Sequence, residues 1–324
     1  MDWRQAIARG PGRERLQWDH GHGRGSKTPC TGSIGQPNGP KCWSYPLLSG
    51  LGQIMLQGNA ATGLLFLAGI TWGSPIMGLA ALLSACCGTA AAALLKYDGK
   101  AIGQGLYGFS AALVGVALVL LRGHGPLVWA ATVPGAVAAA ILQHFFLVRK
   151  IPVFTLPFVL VTWALLAALP APAQAAAPAP LLPVLGGSYM AATVRGFGQV
   201  IFQERLLSGL LFILGVAANS RIAAAFGVAG ALLAAGWAWW WNAPGVDMGL
   251  WSFNAVLCAI AVAGTARRNF LLFLFSVPLS VVIGLALTAC GVPQLTFPFV
   301  AATGLGLILE RLLQRARGSS LRPT

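Results

Sequence analysis

The sequence predicts an all-α integral membrane protein. It has two inverted homologous halves of about five transmembrane helices each, with short re-entrant or half helices around a central pore. Three observations carry the prediction. The chain has 324 residues, 57% hydrophobic and only 9% charged, against roughly 25% charged in a typical soluble domain. So much apolar sequence cannot be hidden inside one water-soluble core. The stretch Gly52–Ser74, GQIMLQGNAATGLLFLAGITWGS, returns at Gly198–Ser220 as GQVIFQERLLSGLLFILGVAANS, identical at nine of 23 positions. Several apolar segments in both copies fall short of the ~20 residues that cross the hydrocarbon and are interrupted by glycine. Broken helices lining a site read this way in a duplicated membrane protein.

Residues 1–45 are rich in Gly, Arg, Pro and Ser and lack the apolar core of a signal peptide, so they read as a disordered, basic polar tail. Seven of the 21 Lys and Arg lie in the first 41 residues, and Arg311, Arg315, Arg317 and Arg322 follow the last apolar run. Basic flanks mark the cytoplasmic side of spanning segments. Both termini are therefore expected in the cytoplasm, with the protein in the inner or plasma membrane. The net charge of +14 comes with no base-stacking aromatic pattern, so the lipid bilayer is the expected surroundings and nucleic acid is not an expected partner.

The first membrane repeat is placed at 46–170, with apolar segments at roughly 48–57, 60–72, 76–95, 101–121, 126–148 and 152–169. Residues 171–190 form a Pro/Ala-rich linker whose APAQAAAPAPLLP argues against a continuous helix. The second repeat, 191–313, belongs to segments at roughly 184–204, 206–218, 221–241, 247–266, 269–290 and 294–313, and residues 314–324 form a basic C-terminal tail. The repeat continues beyond its first stretch. LYGFSAALVGVAL (106–118) matches LWSFNAVLCAIAV (250–262), and FTLPFV (154–159) matches LTFPFV (295–300), in the same order. An odd number of crossings per half inverts the halves and puts both termini on one side. The loops do not settle the internal topology, because Arg122 and His124 correspond to Arg267 and Arg268.

The ionisable residues exclude much chemistry. Asp98, Glu204, Asp247 and Glu310 are the acids of the membrane domain, and all stand at loops or segment ends. Glu204 and Arg205 are expected to pair at an interface. No acid sits in mid-segment beside a His or Lys, as a proton relay needs, and no Ser/His, Asp/Asp or His/Glu catalytic set falls within the apolar runs. His144 stands alone beside Phe145 and Phe146. Cys86, Cys87, Cys258 and Cys290 lie in apolar runs and read as small hydrophobes. Cys30 and Cys42 lack a second ligand pair at finger spacing, and His20 and His22 fall in the tail. No enzyme activity, cofactor or metal is expected.

The residues that remain at the duplicated positions are neutral: Gln53 with Gln199, Leu56 with Phe202, Phe109 with Phe253, Leu113 with Leu257, and Thr155 with Thr296. Gln offers a carbonyl and an amide, and Thr a hydroxyl that donates and accepts. Pro157 and Pro298 each remove a backbone donor and are expected to free an upstream carbonyl. Phe and Leu four apart share a helical face. Singly, each feature has a plainer reading as packing, local bonding or capping; recurrence in order in both halves raises them together. Combined, they describe a narrow apolar slot with a file of oxygens, suited to a small, flat, uncharged ligand rich in N–H donors. An ion would need compensating charge.

These motifs, GQ-x-x-F/L, LYGF and the twice-used TLPF/TFPF, resemble those of the urea transporter family over about residues 45–313. The resemblance implies two inverted five-helix halves around one pore, a homotrimer with a pore in each protomer, and passive, channel-like conduction of urea. By motif, Gln53 and Gln199 stand at the two wider ends. Phe109, Leu113, Phe253, Leu257 and Phe202 form the flat slots, and Thr155 and Thr296 the central constriction. The sequence departs from the family pattern at Leu56, where an aromatic is often seen. Ser110 replaces the Asn of LYGFN, which Asn254 keeps, and Ser252 replaces a Gly. A channel for ammonia, water or short-chain amides is the alternative, and a non-conducting scaffold or intramembrane enzyme a more distant one.

Overall fold

The computed structural model describes residues 44–170 and 189–319, and among these it contains helices and no strand. The expectations for the N-terminal tail, Cys30, Cys42, His20, His22 and most of the linker lie outside the described residues. The first half runs α1 Ser44–Gln53, α2 Ala60–Gly73, α3 Pro75–Leu94, α4 Gly99–Gly103, α5 Gly108–Arg122, α6 Pro126–Val148 and α7 Leu156–Ala168. The second runs α8 Tyr189–Gln199, α9 Leu206–Asn219, α10 Arg221–Trp240, α11 Phe253–Ala261, α12 Arg267–Ala289 and α13 Phe297–Ser319. Five of these, α3, α6, α10, α12 and α13, are long and apolar enough to cross a membrane. The 14 residues of α2 and of α9 reach only about 21 Å at 1.5 Å per residue, short of the ~30 Å hydrocarbon.

Local chemistry sets the boundaries in parallel in the two halves. Ser74 closes α2 with its N–H on Ile70 O at 2.8 Å and opens α3 with its hydroxyl accepting from Met77 N at 3.4 Å. Ser220 does the same between α9 and α10, with Val216 O at 2.8 Å and Ala223 N at 3.2 Å. Thus the serine that ends each repeated stretch is a hinge between two helices. Each half begins with a helical hairpin packed backbone to backbone. A Cβ on Gly63 would lie 1.7 Å from Leu48 O, and one on Gly209 would lie 2.2 Å from Val194 O. Only glycine permits that approach.

The halves are inverted, and the α2–α9 contact shows it. Thr62 Oγ1 donates to Gly215 O at 2.8 Å, the Phe66 and Phe212 rings meet edge to face at 5.2 Å, and Ser208 Oγ donates to Gly69 O at 2.7 Å. As one residue number rises the other falls, so the two helices cross antiparallel. Each contact is also the repeat-related image of the other, with Thr62 equivalent to Ser208 and Gly69 to Gly215, and Phe66 meets its own equivalent. An internal two-fold axis therefore passes between Phe66 and Phe212, and it turns one half upside down relative to the other.

The repeat extends to backbone conformations that the sequence does not announce. Left-handed residues occur in equivalent pairs: Leu56 with Phe202, Lys96 with Asn242, Gly105 with Gly249, Lys150 with Gly291, and Phe154 with Leu295. Six of these ten would ordinarily avoid positive φ, at a cost of about 1–3 kcal/mol each when held there. Between the helices the packing uses small residues, such as Ala80, Ala81, Ala85, Ala111 and Ala112, which let α3 and α5 approach closely. Large apolar side chains such as Leu64, Leu79, Leu214 and Trp240 point outward and are exposed, as a surface solvated by lipid requires.

Candidate functional site

The two central threonines meet. Thr155 and Thr296 occupy the residue before α7 and α13 respectively, each following a left-handed residue, Phe154 with φ 49° and Leu295 with φ 44°. That turn swings each hydroxyl away from its own helix, and Thr155 makes no capping bond. Instead Thr155 Oγ1 and Thr296 Oγ1 lie 2.6 Å apart, each side chain 1% exposed. Two hydroxyls hold two donors and four lone pairs, so one shared bond leaves one donor and three lone pairs for a third party. The N-termini of α7 and α13 converge on the same point, and their partial positive charge favours an electron-rich atom there and disfavours a cation.

The prolines do something other than expected. Pro157 and Pro298 stand in the first turns of α7 and α13, where a backbone N–H has no helical partner to lose. The carbonyl upstream of Pro157, that of Val153, accepts from Leu156 N at 2.9 Å, and that of Gln294 accepts from Phe297 N at 3.1 Å. The prolines start these helices without freeing a carbonyl from them.

Gln53 and Gln199 end α1 and α8 and reach into equivalent turns. Gln53 Nε2 donates to Gln104 O at 3.1 Å, and Gln199 Nε2 donates to Met248 O at 3.0 Å. Each acceptor precedes a left-handed glycine, Gly105 or Gly249, with φ 74° in both. One amide N–H of each is thus committed, and each side chain keeps its second N–H and its Oε1. The same turns lead into α5 and α11, which carry Phe109 and Leu113, and Phe253 and Leu257. Phe109, Leu113 and Leu257 are buried and Phe253 is half-buried.

Leu56 and Phe202 stand three residues beyond the α1 and α8 termini in the left-handed conformation, with φ 63° and 58°. Phe202 packs edge to face on Phe158 of α7 with ring centres 6.3 Å apart, one turn from Thr155. This brings Phe202 of the second half to the central threonine of the first. Sequence reasoning passed over Phe158 and its equivalent Phe299, whose ring packs tilted against Phe154 with centres 5.0 Å apart. Their repetition within TLPFV and TFPFV was the available signal. It also passed over the Gln104 and Met248 carbonyls, which carry no sequence signal because the groups are backbone.

The departure at Ser110 and the retained Asn254 have unequal consequences. Asn254 Nδ2 donates to Leu295 O at 3.2 Å while its Oδ1 accepts from Phe299 N at 3.2 Å, bolting α11 to the start of α13. Ser110 Oγ instead meets Gln143 Oε1 at 3.4 Å. His144 is not isolated: it stacks on Tyr97 with ring centres 3.5 Å apart, and its Nδ1 lies 3.0 Å from Tyr107 OH. Glu204 and Arg205 are both exposed and form no ion pair among the described residues, whereas Glu310 binds Arg268 Nε at 3.0 Å. Among the described residues, no three His, Cys, Asp or Glu side chains converge as a metal site would need. A cavity of about 420 Å³, lined by Leu121, Arg122, Trp163, Leu166, Ala167, Val292 and Pro293, contains none of the ten expected residues. It lies where the ends of α5 and α7 face the turn before α13, away from the threonine pair.

Fold and site together define a multi-pass α-helical membrane protein of two inverted halves whose duplicated threonines, Thr155 and Thr296, meet on an internal two-fold. The chain belongs to the urea transporter family, which it matches over residues 45–311. It is 28% identical over 291 residues to urea transporter 1 of Rattus norvegicus, an alignment covering 81% of this chain and 76% of the relative. The corresponding proteins of Ovis aries and Mus musculus are 26% identical over the same length and with the same coverage.

Proposed function

We propose that this protein conducts urea passively across the membrane, through a narrow slot between the two halves. The observation that carries the reading is the Thr155–Thr296 pair, buried on the two-fold between two helix N-termini. Urea is flat and uncharged, with one carbonyl and four N–H groups. Its N–H groups find lone pairs on the two hydroxyls, and its carbonyl finds the remaining O–H and the positive helix ends. In this reading Gln53 and Gln199 stand at the two mouths, and Leu56, Phe109 and Leu113 form the flat walls towards one end and Phe202, Phe253 and Leu257 those towards the other. Shallow sites in series let the ligand leave as readily as it enters. The converging positive ends disfavour ammonium and other cations.

The proposal includes a homotrimer with one pore per protomer, set in the inner or plasma membrane with both termini in the cytoplasm. The family membership and the names of the relatives support urea as the substrate. Stopped-flow urea efflux from proteoliposomes tests it. Efflux faster than from empty liposomes, and inhibited by thiourea, is expected; efflux no faster than the control removes the reading. Competition by acetamide with no loss of flux for other solutes separates a urea channel from one for short amides.

A further inference from the structure

The two ends of the duplicated hairpin are held differently, although their backbones match. At both, the chain leaves a short helix through a left-handed residue that is not glycine, Leu56 or Phe202. At both, the next residue closes the turn, Gln57 N on Gly52 O at 3.0 Å and Gln203 N on Gly198 O at 2.9 Å. At both, the side-chain amide of that glutamine donates back to the carbonyl two residues earlier, Gln57 Nε2 to Met55 O at 2.9 Å and Gln203 Nε2 to Ile201 O at 3.0 Å. These glutamines are buried, and each clamps the strained residue beside it.

Beyond this point the symmetry stops. Gln57 Oε1 accepts from Asn219 Nδ2 at 2.7 Å, and Asn219 Oδ1 accepts from Asn59 Nδ2 at 3.4 Å. Asn59 Oδ1 in turn accepts from Ala61 N at 2.8 Å, capping α2. The relay crosses from the first half to the end of α9 in the second and returns. At the other end, Gly73 stands where Asn219 stands, and Arg205 stands where Asn59 stands and makes no capping bond. Gln203 Nε2 meets the soft sulfur of Met77 at 3.7 Å instead.

We propose that Asn219 and Gln57 are positioning residues for Leu56, and that they make the Leu56 end of the slot its fixed, size-selecting end and the Phe202 end its compliant one. This rests on the reading of Leu56 and Phe202 as slot walls. A strained backbone persists only where its surroundings over-determine it, and the Leu56 turn has one more set of bonds holding it than the Phe202 turn. An aliphatic wall without a ring to limit its reach depends on backbone position for its shape, and the relay supplies that position.

Hydrogen–deuterium exchange on the full-length protein tests the mechanical half independently of transport. Slower exchange is expected over residues 54–57 than over 200–203, and Asn219→Gly is expected to speed exchange in the first segment alone. Asn219→Ala and Asn59→Ala serve as second and third variants, checked for monodispersity by gel filtration. Efflux from proteoliposomes tests the selective half. Losing a hydrogen bond of this kind is expected to raise the methylurea-to-urea permeability ratio about threefold to tenfold, whereas a merely structural defect lowers both fluxes together. Unchanged exchange over 54–57 in all three variants overturns the proposal, as does an unchanged ratio in monodisperse Asn219→Gly and Asn219→Ala. If the wild type passes no urea, the slot reading fails, and the exchange data still decide whether Asn219 holds the Leu56 turn.

Discussion

Thr155 Oγ1 and Thr296 Oγ1 lie 2.6 Å apart across the two halves of the chain, a buried polar contact made by two equivalent residues 141 positions apart. The bond is shared between equals, and each hydroxyl is the other's protein partner. Replacing one Thr by Val leaves a buried hydroxyl unpaired, at a cost of about 1–3 kcal/mol, whereas replacing both removes the unpaired group. The expected outcome is that Thr155→Val and Thr296→Val each destabilise, and that the double variant loses less than the sum. Thermal unfolding in detergent measures this. Urea efflux follows a different rule, falling about twofold to tenfold for each hydroxyl lost and furthest in the double variant.

Phe66 and Phe212, in edge-to-face contact at 5.2 Å, mark the two-fold between α2 and α9. Phe66→Leu and Phe212→Leu are expected to destabilise by similar amounts, because the sites are images of each other. A double-mutant cycle should return a coupling of about 0.5–1.5 kcal/mol, typical of aromatic pairs beyond their burial. Strongly unequal single effects would argue that the axis does not pass between them.

Asn254 bonds both Leu295 O and Phe299 N. Asn254→Ala exposes a buried carbonyl and a buried N–H to an apolar site, and a loss of about 1–3 kcal/mol is expected. Because these two groups flank Thr296, urea efflux should fall as well. Ser110→Ala, at the equivalent position, breaks only a 3.4 Å contact to Gln143 and is expected to leave both stability and efflux near wild type.

Tyr107, in the turn before α5, has its phenol pushed up from 10.0 to about 12, by burial first and then by the negative charge of Asp98 and Tyr97. The folded state thus holds the phenolic proton more tightly than the unfolded chain does. Its stabilisation is complete below pH ~10 and is lost as the pH rises through about 12. Unfolding midpoints measured between these limits should fall more steeply in the wild type than in Tyr107→Phe, which cannot ionise there.

Much of this architecture is legible in the chain. The length of the apolar runs, their shortness at 60–72 and 206–218, and the repeated order of GQ, LYGF or LWSF, and TLPF or TFPF predict a duplicated helical membrane protein. The pairings Gln53 with Gln199 and Thr155 with Thr296 can be read from alignment alone. What alignment could not say is which paired residues touch. Gln53 and Gln199 reach separate turns, the threonines bond each other, and Phe202 crosses to Phe158 of the opposite half.

The sequence by itself determined the class, the repeat and the equivalence of residues, because hydrophobic length and recurring side-chain chemistry are local properties. Only the tertiary structure decided how the halves are turned and where strain is held. The antiparallel run of Thr62–Gly215, Phe66–Phe212 and Gly69–Ser208 inverts one half, and inversion brings equivalent residues face to face only near the two-fold. Leu56, Phe154, Phe202 and Leu295 carry no glycine signature for their left-handed backbones; the folded turns hold them, with Gln57 and Gln203 clamping beside Leu56 and Phe202 and Asn254 bonding Leu295 O from a distant helix. The same physics separates the turns at Leu56 and Phe202: Asn219 and Gly73 are equivalent by alignment, but only a folded chain places Asn219 against Gln57.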